Sequence, residues 1–532
     1  MSWREELSAQ QQRYYDEGRY QARTLADEMR DGAAKHGEAL LVFHSDTRPD
    51  AANLAEMHRK SLALAGALHS LGLRPGDAIA IQVPNWLEGA LAFQAAMQLG
   101  VVVVPVIHIY GPAEVQFILR ESRARALICP RAWRNIDYVE RLEKLDRSAL
   151  PDLQHVIVID EDPPSDCLSW RDLEAKAQPS FEPPHVEADD VCLLIFTSGT
   201  TAEPKGVQHT HNTLLAELGR GSTMPTHGVT LAAFPSGHIA GVLGLARLYL
   251  NGGKTILMDN WDASAAAQLI EEHRVRNTQG TPFHLHGLLE TAAASQRDIS
   301  SLTDYLIGGA NVPPALVEQA QAAGLATYRC YGSSEHPTVS SGTPSDPLDK
   351  RAGTDGRLLD GCEVRILDDD GADLPHSQEG EIVCRGPELF VGYTKDALNA
   401  ESFLPGGWFR TGDVGVLDAD GYLRITDRKK DIIIRGGENI SSKEVEDILA
   451  HHPAVMEAAV IGMPDERYGE RVCAYVILHH GAKLDLPEVL DHFAAKGLAR
   501  QKTPERLIEV DELPRTPMGK VKKVELRKQL AK

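Results

Sequence analysis

Apolar residues along this chain recur at two spacings, and the alternation lays out most of its elements. Over 53–71, Leu54, Met57, Leu62, Leu64 and Leu68 recur at helical spacing, with Gly72 placed to end the helix. Arg74-Pro75-Gly76-Asp77 turns the chain into an apolar run over 78–83, which predicts a strand. A second helical stretch over 87–99 leads to the β-branched run 101–104, and further strand-like runs follow at 156–159, 191–196 and 255–258. This rhythm predicts largely parallel sheets covered by helices. From 364 to 393 the pattern shortens to brief strands with glycine-rich turns, which predicts an antiparallel, barrel-like piece.

The last hundred residues read as a compact unit of their own. Residues 432–434 predict a strand. Ser441-Ser442-Lys443-Glu444 has the pattern of a capping box before the helical residues Val445, Ile448 and Leu449. Strands over 458–461 and 472–478 follow, then a helix over 489–495. The run Asp427 to Asp431 is wholly polar, so the boundary is expected there. The expected fold is α/β and α+β: a large N-terminal domain, 1–427, of two helix-covered β-sheets plus a β-barrel-like subdomain, and a small α+β C-terminal domain, 428–532.

Charge and cysteine usage narrow the function classes. With 55 Lys and Arg against 76 Asp and Glu, the net charge is −21. That argues against nucleic acid or an anionic membrane as a partner, and any anionic ligand must meet a local cluster of positive groups. The first 20 residues stay charged and do not form a signal peptide. The longest apolar run, 99–109, is broken by Gly100, Pro105 and His108 and falls short of the ~20 residues of a membrane helix. No membrane span and a cytoplasmic location are therefore expected. The 7 cysteines form no CxxC pair, so neither a zinc site nor a disulfide framework is expected.

The strongest chemical signal follows the strand predicted over 191–196: Phe196-Thr197-Ser198-Gly199-Thr200-Thr201-Ala202-Glu203-Pro204-Lys205-Gly206. Small hydroxyl residues and glycine leave backbone N–H groups exposed, and Lys205 adds a cation, a combination that can wrap nucleotide phosphates. A solvated turn has the same composition. The G-x-x-x-x-G-K-[ST] spacing of a Walker loop is absent.

This segment resembles the signature of the adenylate-forming superfamily, which holds acyl-CoA synthetases, firefly luciferase and nonribosomal peptide adenylation domains; Ala202 stands where glycine is usual. Further segments match in family order over nearly the whole chain. The resemblance implies that Thr197, Ser198, Gly199, Thr200, Thr201 and Lys205 hold the leaving phosphates. It places His238, in Pro235-Ser236-Gly237-His238-Ile239-Ala240-Gly241, beside the acid, with Gly237 replacing a bulkier residue. Gly308-Gly309-Ala310 would lie along adenine and the acyl group. In Tyr331-Gly332-Ser333-Ser334-Glu335, Tyr331 would stack on adenine, Ser334 contact phosphate and Glu335 hold Mg²⁺. Asp413, in Trp408-Phe409-Arg410-Thr411-Gly412-Asp413, would accept from the ribose hydroxyls, and Arg428 would reach ribose and phosphate. Lys430 matches the hinge about which a mobile C-terminal domain turns, and Asp427 stands where many relatives have glycine. Gly436 and Gly437 would line a pantetheine channel, and Lys520, in Pro514-Arg515-Thr516-Pro517-Met518-Gly519-Lys520, would be the catalytic lysine.

The implied activity is ligation of a small carboxylic acid to coenzyme A, with ATP and Mg²⁺, through an acyl-adenylate. Amino-acid-activating relatives carry an aspartate within the segment matching 237–241, and none stands here. Gly237, Ala240, Gly241 and Ala310 are small, so a roomy apolar pocket for a medium-chain, branched, alicyclic or aromatic monocarboxylic acid is expected. Only 12 residues follow Lys520, so no fused carrier domain is expected. The acceptor is then CoA or, in the alternative reading, a separate carrier protein loaded by a fatty acyl-AMP ligase. A catalytically silent nucleotide-binding protein is the reading from another class, and a homodimer is compatible with all of them.

Overall fold

The computed structural model describes residues 2–160, 162–197, 204–220, 228–435, 438–465, 467–496, 500–516 and 519–530. A seven-stranded sheet runs in the order Lys205–Thr210, Val191–Thr197, Val102–Pro105, Ala78–Ile81, Ala126–Pro130, His155–Ile159 and Leu168–Ser169. Its strands pair in parallel except at the edge, where Lys205–Thr210 returns antiparallel to Val191–Thr197. A nine-stranded sheet has a parallel centre, Ala326–Tyr331, Asp304–Ile307, Val275–Gly280, Val229–Ala232, Lys254–Met258 and Leu40–His44. The βαβ rhythm of the sequence is thus realised as two mainly parallel sheets.

Helices Leu87–Leu99 and Ile239–Asn251 explain how the two sheets meet. Leu87–Leu99 is buried at nearly every position, as an apolar-all-round helix must be. Both helices share one core with Ile79, Ile81 and Ile128 of the first sheet and Leu41, Phe43 and Leu257 of the second. Apolar strand residues face this layer from either side, and the order is sheet, helices, sheet.

The antiparallel piece is built around the long strand Trp408–Leu417, which pairs with Gly380–Arg385, Phe403–Leu404 and Leu423–Arg428. It has its own core of Ile366, Ile382, Phe390, Phe403, Phe409 and Leu423. It is tied to the nine-stranded sheet by a buried ion pair. Arg329 donates from Nε and Nη2 to Asp355 Oδ1 (3.0 and 2.6 Å) and from Nη1 to Ala352 O (2.8 Å), while Asp355 Oδ2 accepts from the Ile425 N–H (2.8 Å).

The C-terminal unit has a five-stranded sheet, Glu438–Ile440, Ile433–Arg435, Gly469–Leu478 and Val455–Asp465, with Arg506–Glu509 parallel to Gly469–Leu478. Its core is Ile433, Val445, Leu449, Val460, Val472, Val476 and Phe493. Helix Ser442–Leu449 starts at Ser441, whose Oγ accepts from the Glu444 N–H at 3.1 Å, the forward half of the expected capping box. The polar run at 427–431 is not a solvated linker throughout. Asp427 is buried, and its carboxylate accepts from the Ser442 N–H (2.6 Å), at the first turn of that helix. Asp431 pairs with Arg527 at 2.8 Å.

Removing Arg329 would leave the Asp355 carboxylate buried without its counter-ion. Arg329→Met is expected to cost about 3–5 kcal/mol, read as a lower urea midpoint. A midpoint unchanged from the parent protein would show that the pair carries no such weight.

Candidate active site

A cavity of about 2270 Å³ opens between the large N-terminal part and the C-terminal unit. Pockets for one drug-sized ligand run to about 300–1,000 Å³, so this one has room for more than one substrate. Thr197, Lys205, His238, Gly309, Ala310, Tyr331, Gly332, Ser333, Ser334, Glu335, Asp413, Arg428, Lys430 and Lys520 all border it. Ser198, Gly199, Thr200, Thr201, Gly436 and Gly437 lie outside the described residues.

One wall is a chain of polar contacts between strand ends. Strand Val191–Thr197 stops at Thr197, which pairs with Lys205 at the start of the returning strand. The Lys205 ammonium lies 5.0 Å from the centre of the Tyr393 ring, and the Tyr393 hydroxyl donates to Glu335 Oε1 at 2.7 Å. The Glu335 carbonyl accepts from the Phe390 N–H at 2.8 Å, so main chain and side chain of Glu335 are both held. The Ser333 hydroxyl accepts from the N–H groups of Glu335 and His336 (3.2 Å each), which shapes the turn after strand Ala326–Tyr331.

The next wall carries Asp413. The Tyr331 hydroxyl donates to its Oδ2 at 2.7 Å and Arg428 Nε pairs with its Oδ1 at 3.1 Å. Tyr331 ends a strand of the nine-stranded sheet, whereas Asp413 and Arg428 face each other on paired strands of the antiparallel unit. The Asp413 carboxylate, first of the nearby groups, holds the Arg428 guanidinium above its ordinary pKa.

Lys520 comes from the opposite side. Its loop is braced internally: Thr516 N–H donates to the Lys520 carbonyl (2.7 Å), and Arg515 Nη1 to the Gly519 carbonyl (2.9 Å). Arg515 lies over the Phe283 ring at 5.2 Å, at the start of helix Pro282–Ser295. This docking brings the Lys520 side chain beside Gly309, where an added Cβ would lie 3.9 Å from Lys520 Cε. Burial, and then the charge of Arg428, lower the Lys520 pKa to about 8. The same two causes bring Lys430, in the turn closed by Asp431 N–H to the Arg428 carbonyl (2.8 Å), to about 8.

His238 caps helix Ile239–Asn251. Its Nδ1 accepts from the Ala240 N–H at 3.3 Å, which leaves Nε2 as the protonated ring nitrogen. Burial, and then the Lys520 charge, push its pKa down to about 3, so it is a neutral donor and never an imidazolium at working pH. Gly237 sits against the backbone of Ile107, where a Cβ would come within 2.6 Å of Ile107 Cα, so close packing explains the small residue as well as any pocket does.

Several groups at the site have no motif to announce them. His209, on strand Lys205–Thr210, donates from Nε2 to the Ser334 carbonyl (2.7 Å), and burial holds its pKa near 4, so it stays neutral. Tyr393 was legible only as the end of the short-strand run. Glu217 and Arg247, 3.9 Å apart, also border the cavity. Burial raises the Glu217 pKa to about 7 against the opposing charge of Arg247. The wall beside helix Ile239–Asn251 is therefore not wholly apolar, as its small residues alone would imply.

Known proteins resemble this chain in sequence and fold. The AMP-binding enzyme family model matches residues 30–394, and the AMP-binding enzyme C-terminal domain matches 444–520. A medium-chain fatty-acid–CoA ligase of Escherichia coli (strain K12) is 34% identical over 527 residues, covering 97% of this chain and 92% of its own. A 2-hydroxy-7-methoxy-5-methyl-1-naphthoate–CoA ligase of Streptomyces carzinostaticus is 30% identical, covering 99% and 96%. The crystal structure of an anthranilate CoA ligase in complex with anthranoyl-AMP superimposes with a TM-score of 0.88 at 27% identity, covering 96% of this chain and 98% of that one. The chain belongs to the AMP-binding enzyme family, as an acid–thiol ligase of the AMP-forming, adenylate-forming kind.

Proposed function

We propose that this protein activates a medium-chain, branched, alicyclic or aromatic monocarboxylic acid with ATP and transfers the acyl group to coenzyme A in the cytoplasm. The observation that carries the reading is Lys520, docked beside Gly309 on a cavity bordered by Arg428, Lys430 and Lys205. In the first step a carboxylate oxygen attacks the α-phosphorus and pyrophosphate leaves. Two anions must meet and no proton need move, so the requirement is preplaced positive charge. Lys520 bridges the carboxylate and the α-phosphate, and Lys205 with the N–H groups of Thr197, Ser198, Gly199, Thr200 and Thr201 takes the leaving phosphates. Asp413 receives the ribose hydroxyls and Tyr331 the adenine, along Gly332, Ser333 and Ser334. Glu335, oriented by Tyr393, is the carboxylate that would hold Mg²⁺, whose charge would offset the phosphates. His238, neutral and donating from Nε2, offers a hydrogen bond to the acid without a competing charge.

In the second step the CoA thiol attacks the acyl-adenylate, and Lys520 is no longer needed there. The small domain, 428–532, turns about Lys430 and withdraws Lys520, so that Gly436 and Gly437 line the pantetheine path. Among the described residues, the contacts that hold the present position include Asp427 to Ser442 (2.6 Å), Asn311 to Glu446 (3.0 Å), Lys429 to Glu381 (2.9 Å) and Arg515 over the Phe283 ring (5.2 Å).

The substrate class is tested by pyrophosphate release from ATP and a panel of acids, with and without CoA. Release that turns over only with CoA supports the ligase. Bound acyl-adenylate that CoA does not discharge would make the carrier-loading alternative the better one. Lys520→Ala is expected to slow adenylation by roughly 10²–10³-fold while sparing thiolysis of a supplied acyl-adenylate, and equal loss in both half-reactions would refute its role. Lys430→Pro is expected to slow thioester formation more than adenylation, which stopped-flow traces of each half-reaction will compare. Because the free-enzyme Lys520 pKa is lowered to about 8, its charge is present below that pH and lost above it. The adenylation kcat/KM should therefore fall as pH rises through about 8. Lys520→Arg, slower overall, should lose most of that limb, and an unchanged limb would assign it elsewhere.

A further inference from the structure

The residue after Glu335 does not border the cavity. His336 is buried at 1% exposure and turns into a cluster assembled from three separate segments. Its Nε2 lies 3.5 Å from Cys362 Sγ and 3.6 Å from Glu388 Oε2, and Cys362 Sγ lies 3.5 Å from the same Glu388 oxygen. Cys362 precedes strand Glu363–Leu367, and Glu388 follows strand Gly380–Arg385. Glu388 is fully buried at 0% exposure, and its other oxygen, Oε1, has no hydrogen-bond partner. The space between the groups is kept by Gly386, where an added Cβ would come within 3.0 Å of both Glu388 Oε2 and His336 Nε2.

A buried carboxylate is normally held by charge-assisted bonds of about 2.7–2.9 Å, and these three contacts are all longer. They do match the edges of a coordination polyhedron. Zinc bonds of about 2.3 Å to sulfur and about 2.0–2.2 Å to nitrogen and oxygen, in tetrahedral geometry, separate the ligand atoms by about 3.3–3.6 Å. We propose that His336, Cys362 and Glu388 form a structural site for a zinc-like divalent cation. A thiolate, a carboxylate and a neutral imidazole would balance a charge of +2 in a place that water does not reach. Coordination through Nε2 puts the ring proton on Nδ1, which lies 3.3 Å from Cys384 Sγ, a partner that fixes this tautomer. The fourth position has an oxygen donor at hand in the Thr338 carbonyl, 3.7 Å from Cys362 Sγ.

The ion would staple the segments that carry Glu335. His336 is its neighbour in sequence, and Phe390, two residues past Glu388, donates its N–H to the Glu335 carbonyl at 2.8 Å. No CxxC pair marks the site because each ligand comes from a different stretch of chain. The test is a Co²⁺ titration of the full-length protein after dialysis against chelator. One equivalent is expected to produce a thiolate-to-cobalt charge-transfer band with tetrahedral d–d bands, both displaced by Zn²⁺. Cys362→Ser should abolish the charge-transfer band, His336→Gln should weaken binding by more than the roughly 10–100-fold that loss of an outer partner costs, and Cys473→Ser, a remote buried thiol, should change neither. Zn²⁺ should raise the melting temperature of the parent protein but not of Cys362→Ser. Absence of the band from the parent protein, or its persistence in Cys362→Ser, would overturn the proposal.

Discussion

The governing constraint is electrostatic. A chain of net charge −21 has to hold a polyphosphate and a carboxylate side by side. Arg428, Lys430, Lys205 and Lys520 are gathered on one cavity from the seven-stranded sheet, the antiparallel unit, the interdomain turn and the C-terminal loop. Left alone, such a cluster would repel itself, and the depressed pKa values of Lys430 and Lys520 record burial first and the charge of Arg428 second. Asp413 and Glu335 relieve the repulsion, each also tied down by a tyrosine hydroxyl. Most of the architecture serves to bring these strand ends together without letting them collapse onto one another.

What was legible in the sequence was what is written in contiguous residues. Strand and helix spacing located the parallel sheets because each strand must show its branched side chains to a neighbouring layer. The segments around Lys205, Glu335, Asp413, Arg428 and Lys520 could be recognised because each resembles a contiguous family motif, and the fold brings all five residues to one cavity. The polar run at 427–431 announced a boundary but not its own packing. Asp427 is buried because a helix N-terminus from 15 residues downstream supplies its hydrogen bonds.

The remainder was illegible for the same physical reason. His209 beneath Ser334, Glu217 with Arg247, and Arg329 with Asp355 are each single residues whose meaning lies in a partner remote along the chain. A lone buried histidine and a structural one look identical in sequence. Only tertiary contact distinguishes His209, which donates to the Ser334 carbonyl, from His238, which caps a helix at the cavity wall.

The Arg329–Asp355 pair bears on evolvability. It lies two residues before Tyr331 and, through the Ile425 N–H, grips the sheet that carries Asp413. If Tyr331 and Asp413 receive adenine and ribose as proposed, the register of those two walls is inherited from this buried ion pair. Under the proposed assignment the acid lies beside His238 at the start of helix Ile239–Asn251, on other elements of the fold. New acids could then be explored there without disturbing the nucleotide frame. A lineage whose members act on fatty, naphthoic and anthranilic acids is what such a division of labour permits.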